Sequence, residues 1–178
     1  MSDDKKDGSG KIIFKWWRTH LGNRDTSSAA RALAARLNRS QGPLEVLAEP
    51  ALHALARALD LRDAVRYADR LVRIAQVLAG VREHVPARLA QRLGAGEPPP
   101  MSTLRFQRLM RADDDDLATA LRRALPMVDR ACNVAALGAD LYFWGEKTRT
   151  AWCFDYFGAP APNSSQFEKS NQFEEEDA

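Results

Sequence analysis

The chain has little of what catalysis, metal binding or membrane insertion is built from. It holds two cysteines, Cys132 and Cys153. They show no metal-ligand spacing and no signal peptide precedes them, so a reduced cytoplasm is the expected setting. Its three histidines, His20, His53 and His84, are scattered, without a nucleophile or acid partner at a recognisable interval. Surface or helix-end positions account for them. No phosphate-cradling glycine motif, zinc signature or nucleophile elbow occurs. The reading is therefore a protein that is not an enzyme, with no cofactor and no metal. No apolar run approaches the roughly 18–20 residues that span a bilayer. No alternating Val/Ile/Thr-rich run argues for strands.

What the chain does have is arginine. Of its 26 basic residues, 20 are arginine. The formal net charge of +2 understates the body, because both ends are acidic. Residues 11–158 carry 23 basic and 16 acidic side chains. Arginine is weakly hydrated and forks bidentately onto phosphate, so the bias favours an anionic partner. A GC-rich genome would also inflate Arg and Ala, so the bias alone does not decide. The 178 residues suffice for one domain or two small ones that share a core.

Apolar spacing predicts an all-α fold: two small helical bundles joined by a Gly/Pro-rich linker. Residues 1–10 read as a disordered leader, 11–93 as the N-terminal bundle, 94–101 as the linker and 102–158 as the C-terminal bundle. Residues 159–178 read as a disordered acidic tail. A first helix over 12–21 places Ile13, Trp16, Trp17 and Leu21 on one face. A second, capped within Asp25–Ser27, buries Ala30, Leu33, Ala34 and Leu37. Pro50 suits the first turn of another. Asp60 is expected to cap a long helix over about 61–83, with Arg62, Arg66, Arg70 and Arg73 within roughly 80° of one another. A short helix follows Pro86 and ends near Gly94. Ser102 caps a helix over 103–111, Asp113–Asp116 open the next, and Pro126 ends or kinks it. Asn133 caps a last long helix whose apolar line runs Val134, Leu137, Leu141, Trp144, Thr148 and Trp152.

The candidate chemistry is basic. The 62–73 stripe has Asp63 and Asp69 beside it, so a solvated, self-neutralising face explains it as well as a ligand does. The C-terminal set differs. Arg105, Arg108 and Arg111 share a short helix with no acid before Asp113. Arg122 and Arg123 follow, and then Lys147 and Arg149 among bulky aromatics. Phe143, Trp144, Trp152, Phe154, Tyr156 and Phe157 could stack on bases, but their helical spacing favours core packing. Consecutive carboxylates at 113–116 point in different directions and cannot converge on one ion unaided.

The runs Arg-Phe-Gln-Arg-Leu-Met-Arg-Ala-Asp (105–113), Leu-Arg-Arg-Ala-Leu (121–125) and Tyr-Phe-Trp-Gly-Glu-Lys-Thr-Arg-Thr-Ala-Trp-Cys-Phe-Asp-Tyr-Phe (142–157) resemble the CasB-type small subunit of the type I-E CRISPR complex Cascade. Trp16-Trp17, Ala35–Leu37 and Leu47–Leu55 fit more loosely. The resemblance covers about 11–158. It implies two helical bundles and two copies assembled head to tail in a crRNA-guided complex. It implies contact with crRNA, with target and non-target DNA, and with the backbone and large subunits, but no membrane and no small-molecule substrate. It implies no catalytic role, and a basic surface that steadies the displaced strand of the R-loop. Arg111, Arg122, Arg123, Lys147 and Arg149 are the matching contact positions, with Arg105 and Arg108 beside them and Arg36 and Arg39 as an N-terminal pair. Pro126, the four-aspartate run and the acidic tail depart from the pattern. A helical scaffold or adaptor with no direct nucleic-acid contact is the alternative. A helix-turn-helix regulator fits less well, because no short turn leads into a base-reading helix.

Overall fold

In the computed structural model, which describes residues 2–159, a helix begins at Ser2 and continues to His20 (α1). The expected leader is thus the first half of α1, and the tail from 160 lies outside the described residues. Tertiary packing overrides the polar composition of residues 2–10. Lys6 Nζ sits 2.7 Å from Asp140 Oδ1. A Cβ on Gly10 would lie 2.7 Å from the Ala135 carbonyl oxygen, so the backbones meet there without room for a side chain. Further along, Ile13, Trp16, Trp17 and Leu21 are all buried, the face that the spacing predicts. The indole N–H of Trp16 donates to Ala51 O (2.7 Å), and that of Trp17 to Leu78 O (3.2 Å).

Helix α2 (Ser28–Arg39) starts where Ser27 Oγ accepts from Ala30 N, and it buries Ala30, Leu33, Ala34 and Leu37 as expected. Prolines occupy the first turns of α3 (Pro43–Leu47) and α4 (Pro50–Ala58), where their missing N–H costs nothing. The long helix expected from Asp60 does not form. Asp60 adopts φ +51° and ends α4 instead. Asp63 Oδ1 accepts from Arg66 N (3.2 Å), a local bond that competes with helix. Residues 62–67 are turns, and α5 covers only Ala68–Leu78. The arginine stripe is dispersed with it. Arg70 lies over the rings of Tyr67 and Tyr142, while Arg73 is buried, donating to Leu141 O and pairing with Asp114 at 2.9 Å.

After α5 come β1 (Glu83–His84) and α6 (Leu89–Gly94), then α7 (Thr103–Met110), capped by Ser102 Oγ. Helix α8 (Asp114–Ala124) opens on the aspartate run and yields at Pro126 to a 3-10 turn, Leu125–Val128. Strand β2 (Ala131–Cys132) pairs in parallel with β1, Glu83 with Ala131 and His84 with Cys132. This small ladder is an addition to the expected all-helical plan; at two residues a strand it carries no alternation to read. Asn133 Oδ1 accepts from Ala136 N and caps α9 (Val134–Tyr142). The expected last helix is two. It breaks at 143–145, where Gly145 is fully extended, and restarts as α10 (Glu146–Phe157).

Elements before and after the proline-rich segment, expected as two bundles, share one buried core. Helix α1 packs along α9, and α5 against α8 and α9. The linker itself is anchored: Met101 N donates to Leu93 O, and Tyr156 Oη donates to Met101 O at 2.6 Å.

The α1–α9 contact is testable. A Cβ on Gly138 would sit 2.5 Å from Ile13 Cγ2. Gly138→Ala is expected to destabilise the chain by about 1–3 kcal/mol through overpacking, read as a lower urea midpoint with an unchanged slope.

Candidate nucleic-acid interface

Helix α7 and its C-cap project Arg105, Arg108 and Arg111 into solvent, while Phe106 and Leu109 face the core. With Arg123 from the last turn of α8 they line a groove of about 600 Å³. Its floor is apolar, from Met101, Leu109, Ala120 and Met127, and Asp113 and Asp116 lie on its wall. The predicted set 105, 108, 111 and 123 is therefore brought together on one face.

Arg122 and Arg123 play different parts. Arg122 is half-buried, and its guanidinium donates to the Asn38 carbonyl at the end of α2. It ties α8 to the N-terminal half. Arg123 is exposed and borders both the groove and a second hollow of about 570 Å³. That hollow is lined by Arg24, Arg82, Arg122, Arg123 and Arg130, with Asn38, Ala79, Gly80 and Thr119. Among the described residues no carboxylate lines it.

Sequence reasoning missed Arg24, Arg82 and Arg130. No spacing relates them; Arg82 and Arg130 meet beside the β1–β2 ladder, and Arg24 reaches them through its bond to Val81 O. Arg82 N donates to Arg130 O at 2.8 Å, which fixes the two arginines as neighbours. Asp129 and Arg130 both adopt the left-handed conformation, φ +58° and +57°. Such residues cost of order 1–3 kcal/mol each and persist where surrounding bonds over-determine them. Here Arg130 N donates to Leu125 O at 2.9 Å. Arg24 is buried, giving Nε to Leu21 O and a terminal nitrogen to Val81 O. Burial first, and then repulsion from Arg82 and Arg130, push its pKa down to about 10. It remains a cation at neutral pH, held against like charge.

The other predicted residues are dispersed. Lys147 is exposed in the first turn of α10. Arg149 is half-buried, donating to Ala112 O at 3.2 Å with its guanidinium carbon 5.9 Å from the Trp144 ring centre. Arg36 forks onto Glu49 at 2.6 and 3.0 Å, a hydrogen bond that raises the pKa of Arg36 and lowers that of Glu49. Arg39 is exposed, bonded through Nε to Ala35 O. It follows Asn38, the residue that receives Arg122, so the end of α2 abuts the end of α8. Trp152 and Tyr156 are buried, and Phe143, Trp144 and Phe154 half-buried, as core packing predicts; Phe157 is 62% exposed.

The histidines serve the fold. His84 Nδ1 accepts from Val134 N at 3.1 Å, His53 Nε2 lies 2.8 Å from Leu47 O, and His20 packs beside Trp16. Cys132 is buried, and desolvation pushes its thiol up to about 12. Among the described residues no group of three His, Cys, Asp or Glu could hold a metal ion, and no helix is long and apolar enough to cross a membrane.

A mostly helical fold with arginines gathered into an apolar-floored groove and an adjoining pocket defines a class: helical proteins with a basic face. A family model for CRISPR-associated protein Cse2 matches residues 29–157, and the chain belongs to that family, the Cse2 (CasB) small subunits of type I-E Cascade. The fold is similar to that of one chain in the crystal structure of E. coli Cascade bound to a PAM-containing dsDNA target. The TM-score is 0.61 at 20% identity, over 83% of this chain and 95% of that one. No curated protein sequence matches.

The two adjacent arginines should separate in a stability measurement. Arg122→Ala is expected to cost about 1–2 kcal/mol, by removing a charge-assisted bond to a carbonyl. Arg123→Ala should cost under about 0.5 kcal/mol. Urea denaturation of the two single variants checks this. Thiol chemistry gives a second check. For Cys132 the folded pKa lies above the unfolded one, so the thiol stays protonated in the native chain as pH rises from 9 towards 12. Iodoacetamide at pH 9 should label Cys132 only once urea unfolds the chain, read by peptide mass spectrometry.

Proposed function

We propose that this chain is a non-catalytic subunit of a crRNA-guided interference complex, and that its basic face holds the displaced non-target DNA strand of the R-loop. Its partners on this reading are crRNA and target DNA, a second copy of itself placed head to tail, and the backbone and large subunits. The observation that carries the reading is the position of Arg123. It stands on the ridge between the α7 groove and the arginine hollow, so one strand crossing it meets cations on both sides.

The physics is a small bias on a balanced exchange. An RNA–DNA heteroduplex is about as stable as the duplex it replaces, so whatever holds the displaced strand favours the open state. Arginine contacts to phosphate release counterions and need no base identity. The apolar floor of the groove offers a surface to base faces without hydrogen-bond readout. The interface thus suits any sequence.

Arg105→Gln, Arg108→Gln and Arg123→Gln together remove three cations without touching the core. In the assembled complex they are expected to shorten R-loop lifetime. In the isolated chain the salt slope of single-strand binding should fall by about 2, at roughly 0.7 per phosphate contact. An R-loop lifetime equal to wild type would overturn the reading in favour of a scaffold with no nucleic-acid contact.

A further inference from the structure

We propose that the five-arginine hollow at the seam between the two halves is a discrete seat for one phosphate group. It takes one phosphoryl group, whether of a backbone phosphate turned inward from a strand, of free phosphate or of one end of pyrophosphate. The first of these sources rests on the reading above; the site itself does not.

Four features point to an anion rather than to a solvated basic face. Arg24, Arg82, Arg122, Arg123 and Arg130 converge from four separate parts of the chain, and among the described residues no carboxylate lines the space between them. Two arginines elsewhere on the surface are matched by acids, Arg36 by Glu49 and Arg88 by Asp155, whereas the described lining of the hollow supplies none. Arg24 is only 7% exposed, so its charge cannot be relieved by water as a surface charge is. Lastly, the fold spends two consecutive left-handed residues and a 2.8 Å backbone bond on holding Arg82 beside Arg130. A packing solution would keep like charges apart; a binding site holds them together.

The geometry also sets the ligand class. Guanidinium groups fork onto phosphate oxygens and accept no proton from them, so several can share one phosphate group. Thr119 adds a hydroxyl at the rim. A volume of about 570 Å³ admits pyrophosphate with part of its hydration. Because the wall is drawn from α8, from Arg24 and Asn38 at the two ends of the α2 region and from the chain that follows α5, an anion seated there bridges the halves. Binding should therefore stabilise the folded chain by mass action.

The test uses the full chain and inorganic pyrophosphate, with sodium chloride at matched ionic strength as reference. Wild type is expected to show a saturable rise in Tm and one calorimetric site. Arg82→Gln with Arg130→Gln should weaken that affinity by at least about tenfold, and so should the exposed single change Arg123→Gln, which leaves backbone and core alone. Arg105→Gln with Arg108→Gln should keep the pyrophosphate response while losing single-strand affinity, which separates this site from the groove. An equal Tm rise in wild type and Arg123→Gln, or no rise beyond that of chloride, would overturn the proposal. Displacement of pyrophosphate by an abasic oligonucleotide would assign the seat to a strand phosphate. Undiminished pyrophosphate binding beside the oligonucleotide would assign it to a free anion.

Discussion

The close approach of α1 and α9 is the constraint on which the rest of the structure depends. Two glycines, Gly10 and Gly138, let the helix backbones meet where any larger residue would collide with Ala135 or Ile13. Asp140, buried in that interface, accepts from Trp152 Nε1 at 2.8 Å and pairs with Lys6. A buried carboxylate that loses a partner costs several kcal/mol, so the three groups hold one another in place. Through Trp16 and Trp17 the same helix reaches the carbonyls of Ala51 and Leu78. The N-terminal segment thus stitches α4, α5, α9 and α10 into a single body.

On that body the charges are sorted by burial. Arg73 is sealed inside, satisfied by Leu141 and Asp114, and burial lowers its pKa. Arg149 and Arg122 are half-committed, each giving a bond to a backbone carbonyl of another element. Arg105, Arg108, Arg111 and Arg123 stay in solvent, where holding a phosphate breaks nothing. The interior is thus held by committed arginines, and the remaining cations face outward.

Much of this was legible in the sequence. The caps at Ser27, Ser102 and Asn133, the prolines at the helix starts and the apolar stripe of α2 follow from local rules. The grouping of Arg105, Arg108 and Arg111 follows from helical spacing. What failed, failed for tertiary or strictly local reasons. Residues 2–10 look polar and become helical only because α9 lies beside them. The 61–83 helix was overturned by a left-handed Asp60 and a side-chain bond from Asp63, which a periodicity count does not register. The pocket formed by Arg24, Arg82 and Arg130 was invisible, because a two-residue ladder between distant segments leaves no pattern in either one.

The tandem Leu-Arg-Arg carries a consequence for which residues can replace one another. Arg123 is exposed and carries its charge at a ridge between the groove and the hollow. Arg122 has a double obligation. Its planar guanidinium serves the Asn38 carbonyl and lines the hollow at once. A lysine carries one nitrogen at the end of a flexible stem and cannot face two directions. Adjacent and identical in the sequence, the two positions are unequal in what holds them: Arg122 is tied to the Asn38 carbonyl, and Arg123 stands exposed between the groove and the hollow.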